Sequence, residues 1–166
     1  VVEPLKVAQT IVSSSKIRDL IQGGEVEEAS ILLGRDYPII GKVVEGAKRG
    51  QTLGFPTANL EISDELYPKA GVYAVEVIWQ QQCFHGLANV GLNPTFSPEQ
   101  AGKGKPISLE VYILNFNRDI YGEEIQVDFI RRIRDEVRFD SPSRLINQIQ
   151  KDIQWAQENV FSRHER

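Results

Sequence analysis

From Tyr37 onward, apolar residues recur with a period of two. Residues 39–44 are rich in β-branched side chains, and 71–79 set Tyr73, Val75, Val77 and Trp79 on one face. A third run covers 84–90. Ile107, Leu109, Val111 and Ile113 alternate with other residues, as do Ile125, Val127 and Phe129. Successive side chains leave a strand on opposite faces, so this alternation predicts β-strands with one buried face. Clusters of Gly, Pro and Asn at 91–106 and 115–124 separate the runs. No helix-length segment lies between the strands, so parallel βαβ units are not expected. Several antiparallel strands at this spacing predict a closed barrel, which removes exposed edges.

The flanks are helical. Ser13-Ser14-Ser15 precedes a short predicted helix over 15–22, and Gly23-Gly24 ends it, since serine caps helix starts and glycine helix ends. A second predicted helix, 25–33, opens with Glu25, Glu27 and Glu28, well placed for the helix dipole, and stops at Gly34. These two helices read as a unit separate from the strands. At the other end, Ser141 is a good N-cap, and Pro142 sits at the first helical position, where proline is tolerated. Ile146, Ile149, Ile153, Ala156 and Val160 then form one stripe, so this helix reads as a lid on the barrel.

Composition narrows the picture. A chain of 166 residues, 41% hydrophobic and 25% charged, has the makeup of a soluble globular domain with a real core. No apolar run approaches the roughly 20 residues of a membrane helix, and no signal-peptide pattern is present, so the cytoplasm is the default location. A net charge of −4 argues against a general nucleic-acid binder. The single cysteine, Cys83, excludes an internal disulfide and a Cys-rich metal site, and beside Phe84 it reads as a half-buried strand residue. There is no methionine, so the chain reads as a fragment of a longer protein.

The chemistry-bearing candidates are few. The segment Gly41-Lys42-Val43-Val44-Glu45-Gly46-Ala47-Lys48 lacks the ending of a phosphate-binding P-loop. His85 and His164, the only histidines, are too few for a zinc cluster. Residues 41–54 hold four glycines, Gly41, Gly46, Gly50 and Gly54, with the basic pair Lys48-Arg49. Such a stretch forms either an anion nest or a plain hairpin with a basic tip. Next come Phe55-Pro56-Thr57-Ala58-Asn59. If extended, Thr57 and Asn59 face one side, and neutral oxygens on a stiff backbone suit Mg²⁺, which draws further ligands from water and substrate phosphates. An ordinary turn uses the same residue types. Glu110 lies on the face of its strand opposite the apolar residues, with Ser108 and Tyr112. It is either a solvated carboxylate or a proton acceptor beside a substrate hydroxyl.

Taken in order, these segments resemble the riboflavin kinase family. Gly41 to Gly46, Arg49-Gly50 and Leu53 to Leu60 look like its signature, with Pro56-Thr57-Ala58-Asn59 the most specific part. The likeness continues through Gly71 to Ala74, Asn89 to Phe96, Leu109 to Phe116, Asp119 to Gly122 and Phe129 to Glu136, covering about residues 37–158. It implies a mainly β fold: a six-stranded antiparallel, Greek-key-like barrel closed by a C-terminal helix. It implies transfer of the ATP γ-phosphoryl group to the ribityl 5′-hydroxyl of riboflavin, giving FMN and ADP. By the same resemblance, Thr57 and Asn59 bind Mg²⁺ and ATP phosphates, and Gly41, Lys42, Gly46, Lys48, Gly50 and Gly54 wrap the nucleotide. Glu110 matches the catalytic glutamate, and Arg134 and Glu136 border the flavin. Tyr112 and Asn115 depart from the family's usual histidine and aspartate. Arg131, Arg132, Arg134 and Arg138 form a basic run, read either as a solvated strand and loop or as a phosphate or flavin contact.

Val12 to Arg18 is similar to the closing motif of the FMN adenylyltransferase module of bacterial bifunctional enzymes. Residues 1–35 are therefore expected to be the tail of that module, and 36–166 the kinase barrel with its helix. The partner module would belong to the same parent chain, and this piece alone is expected to make no FAD. No nucleic acid or membrane partner is expected. The alternative of another class is a catalytically silent flavin- or nucleotide-binding barrel.

Overall fold

A computed structural model describes residues 6–7, 10–46, 49–62, 66–92 and 107–163. In chain order the elements are β1 (Lys6–Val7), β2 (Thr10–Ile11), α1 (Ser14–Gly23), α2 (Val26–Leu33), β3 (Tyr37–Val44) and α3 (Arg49–Thr52). There follow β4 (Ala58–Glu61), β5 (Gly71–Trp79), β6 (Gln82–Leu92), β7 (Ile107–Ile113), β8 (Glu124–Arg134) and α4 (Pro142–Asn159). Strands β3-β4-β7-β6-β5-β8 close into a six-stranded barrel in which every pairing is antiparallel. The alternating residues fill its interior: Ile39, Val43, Tyr73, Val75, Val77, Leu109, Val111, Ile125, Val127 and Phe129 are all buried in one cluster.

Strand β5 is buried on both faces, and α4 is the reason. Ala74, Leu87 and Ile130, which point out of the barrel, pack with Ala156, Val160 and Phe161 in a second cluster. The helix therefore covers an outer wall of the barrel, where the sequence stripe alone suggests a lid. Ser141 caps it as expected, its Oγ accepting from the Arg144 amide at 3.4 Å.

The two N-terminal helices are not set apart. Leu20, Ile21, Val26 and Ala29 belong to the same buried cluster as Tyr73 and Phe129, so the hydrophobic core runs across the boundary expected near residue 35. The turn between the helices needs Gly24 (φ +81°), where a Cβ would stand 2.8 Å from Arg132 Cδ. Arg132, on β8, lies against this turn and donates to the Ala70 carbonyl (2.6 Å) and to Asp135 (2.7 Å). No helix among the described residues is long and apolar enough to cross a membrane.

Candidate active site

The turn before β4 is built by two glycines. α3 is a single turn, after which the Phe55 amide donates back to the Gly50 carbonyl at 2.9 Å. A Cβ on Gly50 would collide with the Phe55 carbonyl oxygen, and Gly54 takes a left-handed φ of +83°. This tight reversal leads through Pro56 and Thr57 into β4, which begins at Ala58. Gly46 closes on the same strand from the other side, where a Cβ would overlap the Asn59 amide. Gly46, Gly50, Thr57 and Asn59 are thus brought together. Gly41 and Lys42 lie farther along β3, with Lys42 opposite Glu61 and Glu124. Lys48 lies outside the described residues.

Register then joins Asn59 to the proposed base. Asn59 on β4 pairs with Glu110 on β7, and Glu110 pairs with Asn89 on β6. Paired residues share a sheet face, and two strand spacings put the outer members about 10 Å apart. Leu109 and Val111 point into the core, so this row faces outward, with Glu110 half-buried. The Asn89 Nδ2 donates to Glu136 Oε1 at 3.4 Å. Gly91 makes room for that carboxylate, since a Cβ there would lie 2.7 Å from Glu136 Oε1. Glu136, expected to border the flavin, is therefore linked to Glu110 through Asn89, a residue that the sequence pattern does not single out as a site.

Beside β4 opens a cleft of about 440 Å³. Thr57 and Asn59 edge it, Val43 and Ile120 supply apolar wall, and Arg118 and Asp119 come from the segment between β7 and β8. Arg118 also lies over the Trp79 ring at 5.5 Å. Neither Arg118 nor Asp119 stands out as a site in the sequence. For Asp119 the signal is only the resemblance running through Asp119 to Gly122, and Arg118 falls outside the matching segments. Among the described residues no cluster of three His, Cys, Asp or Glu side chains could hold a metal. Among the cleft's oxygen donors, which also include Gln51, Asn117, Tyr121 and the carboxylate of Asp119, are the neutral oxygens of Thr57 and Asn59. Those fit a Mg²⁺ that arrives with nucleotide phosphates, not a stand-alone protein-held ion.

Three arginines of the basic run, Arg131, Arg132 and Arg134, make structural contacts. Arg131 pairs with Glu27 at 3.3 Å and lies over Trp155 at 5.3 Å. Arg134 grips Asp152 of α4 through Nε (3.1 and 3.0 Å) and Nη2 (2.9 Å), and Asp152 is only 3% exposed. Gln148 adds a 2.9 Å bond to the same carboxylate. Arg134 thus stands near Glu136 but spends its fork on the helix. Arg132 holds the exposed Asp135 carboxyl below the usual carboxylate range. Tyr112 meets Phe55 edge to face, with ring centroids 5.4 Å apart, bracing the Gly54–Thr57 turn against β7. Asn115 has φ +54°, a left-handed turn position that asparagine and aspartate both tolerate. His85 stacks on Phe161 at 4.2 Å. Cys83 is exposed, not half-buried, and desolvation with the nearby Glu76 carboxylate pushes its thiol up to about 11, which leaves it a poor nucleophile.

Known proteins resemble this chain throughout. The family model described as "Flavokinase: Riboflavin kinase" matches residues 33–160. A protein of Listeria monocytogenes named bifunctional riboflavin kinase/FMN adenylyltransferase is 43% identical over 155 residues, covering 93% of this chain and 48% of its own length. A Bacillus subtilis protein of the same name is 42% identical, with the same coverage. This chain therefore spans about half the length of the curated relatives it matches. A crystal structure of a Streptococcus pneumoniae protein described as a macrolide-efflux protein superposes with a TM-score of 0.85 at 41% identity, over 94% of this chain and 50% of that one. A riboflavin kinase structure from Trypanosoma brucei shares the fold, with a TM-score of 0.51 at 22% identity over 75% of this chain and 79% of that one.

Proposed function

This chain belongs to the riboflavin kinase family, and from that premise we propose that it transfers the γ-phosphoryl group of ATP to the ribityl 5′-hydroxyl of riboflavin, with Glu110 as the proton acceptor. The observation that carries the reading is the row Asn59–Glu110–Asn89 on three adjacent strands, beside a cleft edged by Thr57. Phosphoryl transfer needs positioning and charge neutralisation more than covalent help from the protein. In this reading Thr57 and Asn59 hold Mg²⁺ and the phosphates, and the ion, when bound, offsets charge on the transferring group. Gly46, Gly50 and Gly54 wrap the phosphates, and Arg118 supplies a cation from the cleft wall. Gly41 and Lys42 contribute from β3, and the family resemblance adds Lys48, outside the described residues, to the nucleotide contacts. Glu110 receives the proton of the attacking hydroxyl, Glu136 borders the flavin, and Arg134 fixes α4 against the flavin side.

Adenylylation of FMN, the second activity in the relatives' names, is assigned to the part of their length that this chain does not match. In this reading residues 1–35 are the tail of that module. The direct test is incubation of the chain with riboflavin, ATP and Mg²⁺, following FMN by chromatography. FMN is expected. Thr57→Ala should raise the Mg²⁺ concentration needed for half-maximal rate, and an unchanged metal dependence would remove Thr57 from the site.

A further inference from the structure

Asn89 carries an orphan. Among the described residues its Oδ1 is buried and has no hydrogen-bond partner, although its Nδ2 donates to Glu136. The orientation is forced: a carboxylate only accepts, so the amide nitrogen must face Glu136 and the oxygen must turn away. Buried acceptors are nearly always satisfied, so an unsatisfied one invites a functional explanation. Asn89 is also the cross-strand partner of Glu110, with Gly91 and Ser108 the next pair along the same face. Two acceptors therefore stand side by side, one a carboxylate and one a neutral amide oxygen. A phosphate cannot serve them, because it too accepts. A chain of neighbouring hydroxyls can, because each carbon offers its own donor.

Resting on the kinase reading, we propose that Asn89 is a positioning and specificity residue that takes a second hydroxyl of the ribityl chain, one or two carbons from the one facing Glu110. The 3.4 Å bond to Glu136 lies beyond the usual N–H···O range, so the exposed Glu136 carboxylate yields readily as the polyol enters. Binding then gives Oδ1 its donor and sets the 5′-hydroxyl against Glu110. The test compares kcat/KM for riboflavin with that for its 3′-deoxy and 4′-deoxy analogues at saturating Mg·ATP. For the unaltered chain one analogue should be worse by about tenfold, the scale of a lost hydrogen bond that leaves a buried acceptor unpaired. Asn89→Ala should treat that analogue and riboflavin alike within about twofold, with KM for ATP unmoved. Discrimination that persists in Asn89→Ala would reduce the residue to a structural role. Should Asn89→Ala fail to fold, the unaltered chain still decides, because equal use of both analogues and riboflavin overturns the proposal. Absence of FMN from riboflavin itself would instead overturn the kinase reading beneath it.

Discussion

Cutting the Arg134–Asp152 tie should loosen the outer wall that α4 forms on the barrel, beside the proposed flavin border. Asp152 is 3% exposed and accepts from Arg134 at 2.9–3.1 Å and from Gln148 at 2.9 Å. Asp152→Ala removes the carboxylate of this knot and leaves the Arg134 Nε and Nη2 and the Gln148 amide without the acceptor they face. Breaking a buried pair from one side costs about 3–5 kcal/mol. The Arg134 side chain is 20% exposed and regains some hydration, so the lower end, about 3 kcal/mol, is expected. At this chain length that lowers Tm by roughly 6–12 °C. Urea unfolding followed by tryptophan fluorescence measures it, and Trp155 on α4 reports the docked helix directly. Replacing both partners, as Arg134→Met with Asp152→Leu, should return stability to within about 1 kcal/mol of the unaltered chain, because no charge is then left unpaired. A loss below about 1 kcal/mol for Asp152→Ala, or a double variant as weak as the sum of its singles, would refute this account of the helix.

Three further outcomes concern single positions. Gly46→Ala should raise KM for ATP with the fold intact, because the new methyl overlaps the Asn59 amide; nucleotide titration with a melting curve checks both halves. Ile21→Ala should cost about 2–5 kcal/mol in urea unfolding, since Ile21 is fully buried in the barrel core. Asp128 has its carboxyl raised above 3.8, chiefly by desolvation and then by Glu76, against a lowering bond from Gln126. The folded chain thus holds this proton more tightly than the unfolded one, so stability falls as pH rises from the ordinary value through the raised one and stays lower at neutrality. Asp128→Asn should therefore raise the urea midpoint at about pH 7 and change it little at about pH 3.

The barrel was largely legible because its strands alternate. Residues 71–79 and 107–113 match β5 and β7 end to end, since buried and outward positions differ in hydrophobicity along them. β4 was harder, having four residues that read equally as a turn; it is a strand because β3 and β7 pair with it from both sides, which is information from distant sequence. The β5–β6 hairpin turns on Gln80 and Gln81 at φ 49° and 63°, without the Gly or Asn that normally marks such a turn, so strand pairing overrode local preference. β8 runs on through Arg131–Arg134, where charge hid the alternation. The helix wall had a signal in Ala74 and Leu87, apolar on the outward face, and Asp152 on the α4 stripe marked a buried partner 18 residues from Arg134. In the candidate site, Thr57, Asn59 and Glu110 stood out by motif. Asn89, Arg118 and Asp119 did not, because their meaning depends on register and on a cleft wall that no local pattern encodes.

The most direct measurement is the rate of FMN formation by Glu110→Gln beside the unaltered chain, with Mg·ATP and riboflavin both saturating. Glutamine keeps the size and loses the basicity, so kcat should fall by about 10²–10⁴ while nucleotide binding is retained. A Glu110→Gln variant that turns over riboflavin as fast as the unaltered chain would contradict Glu110 as the proton acceptor, and an unaltered chain that forms no FMN would contradict the activity itself.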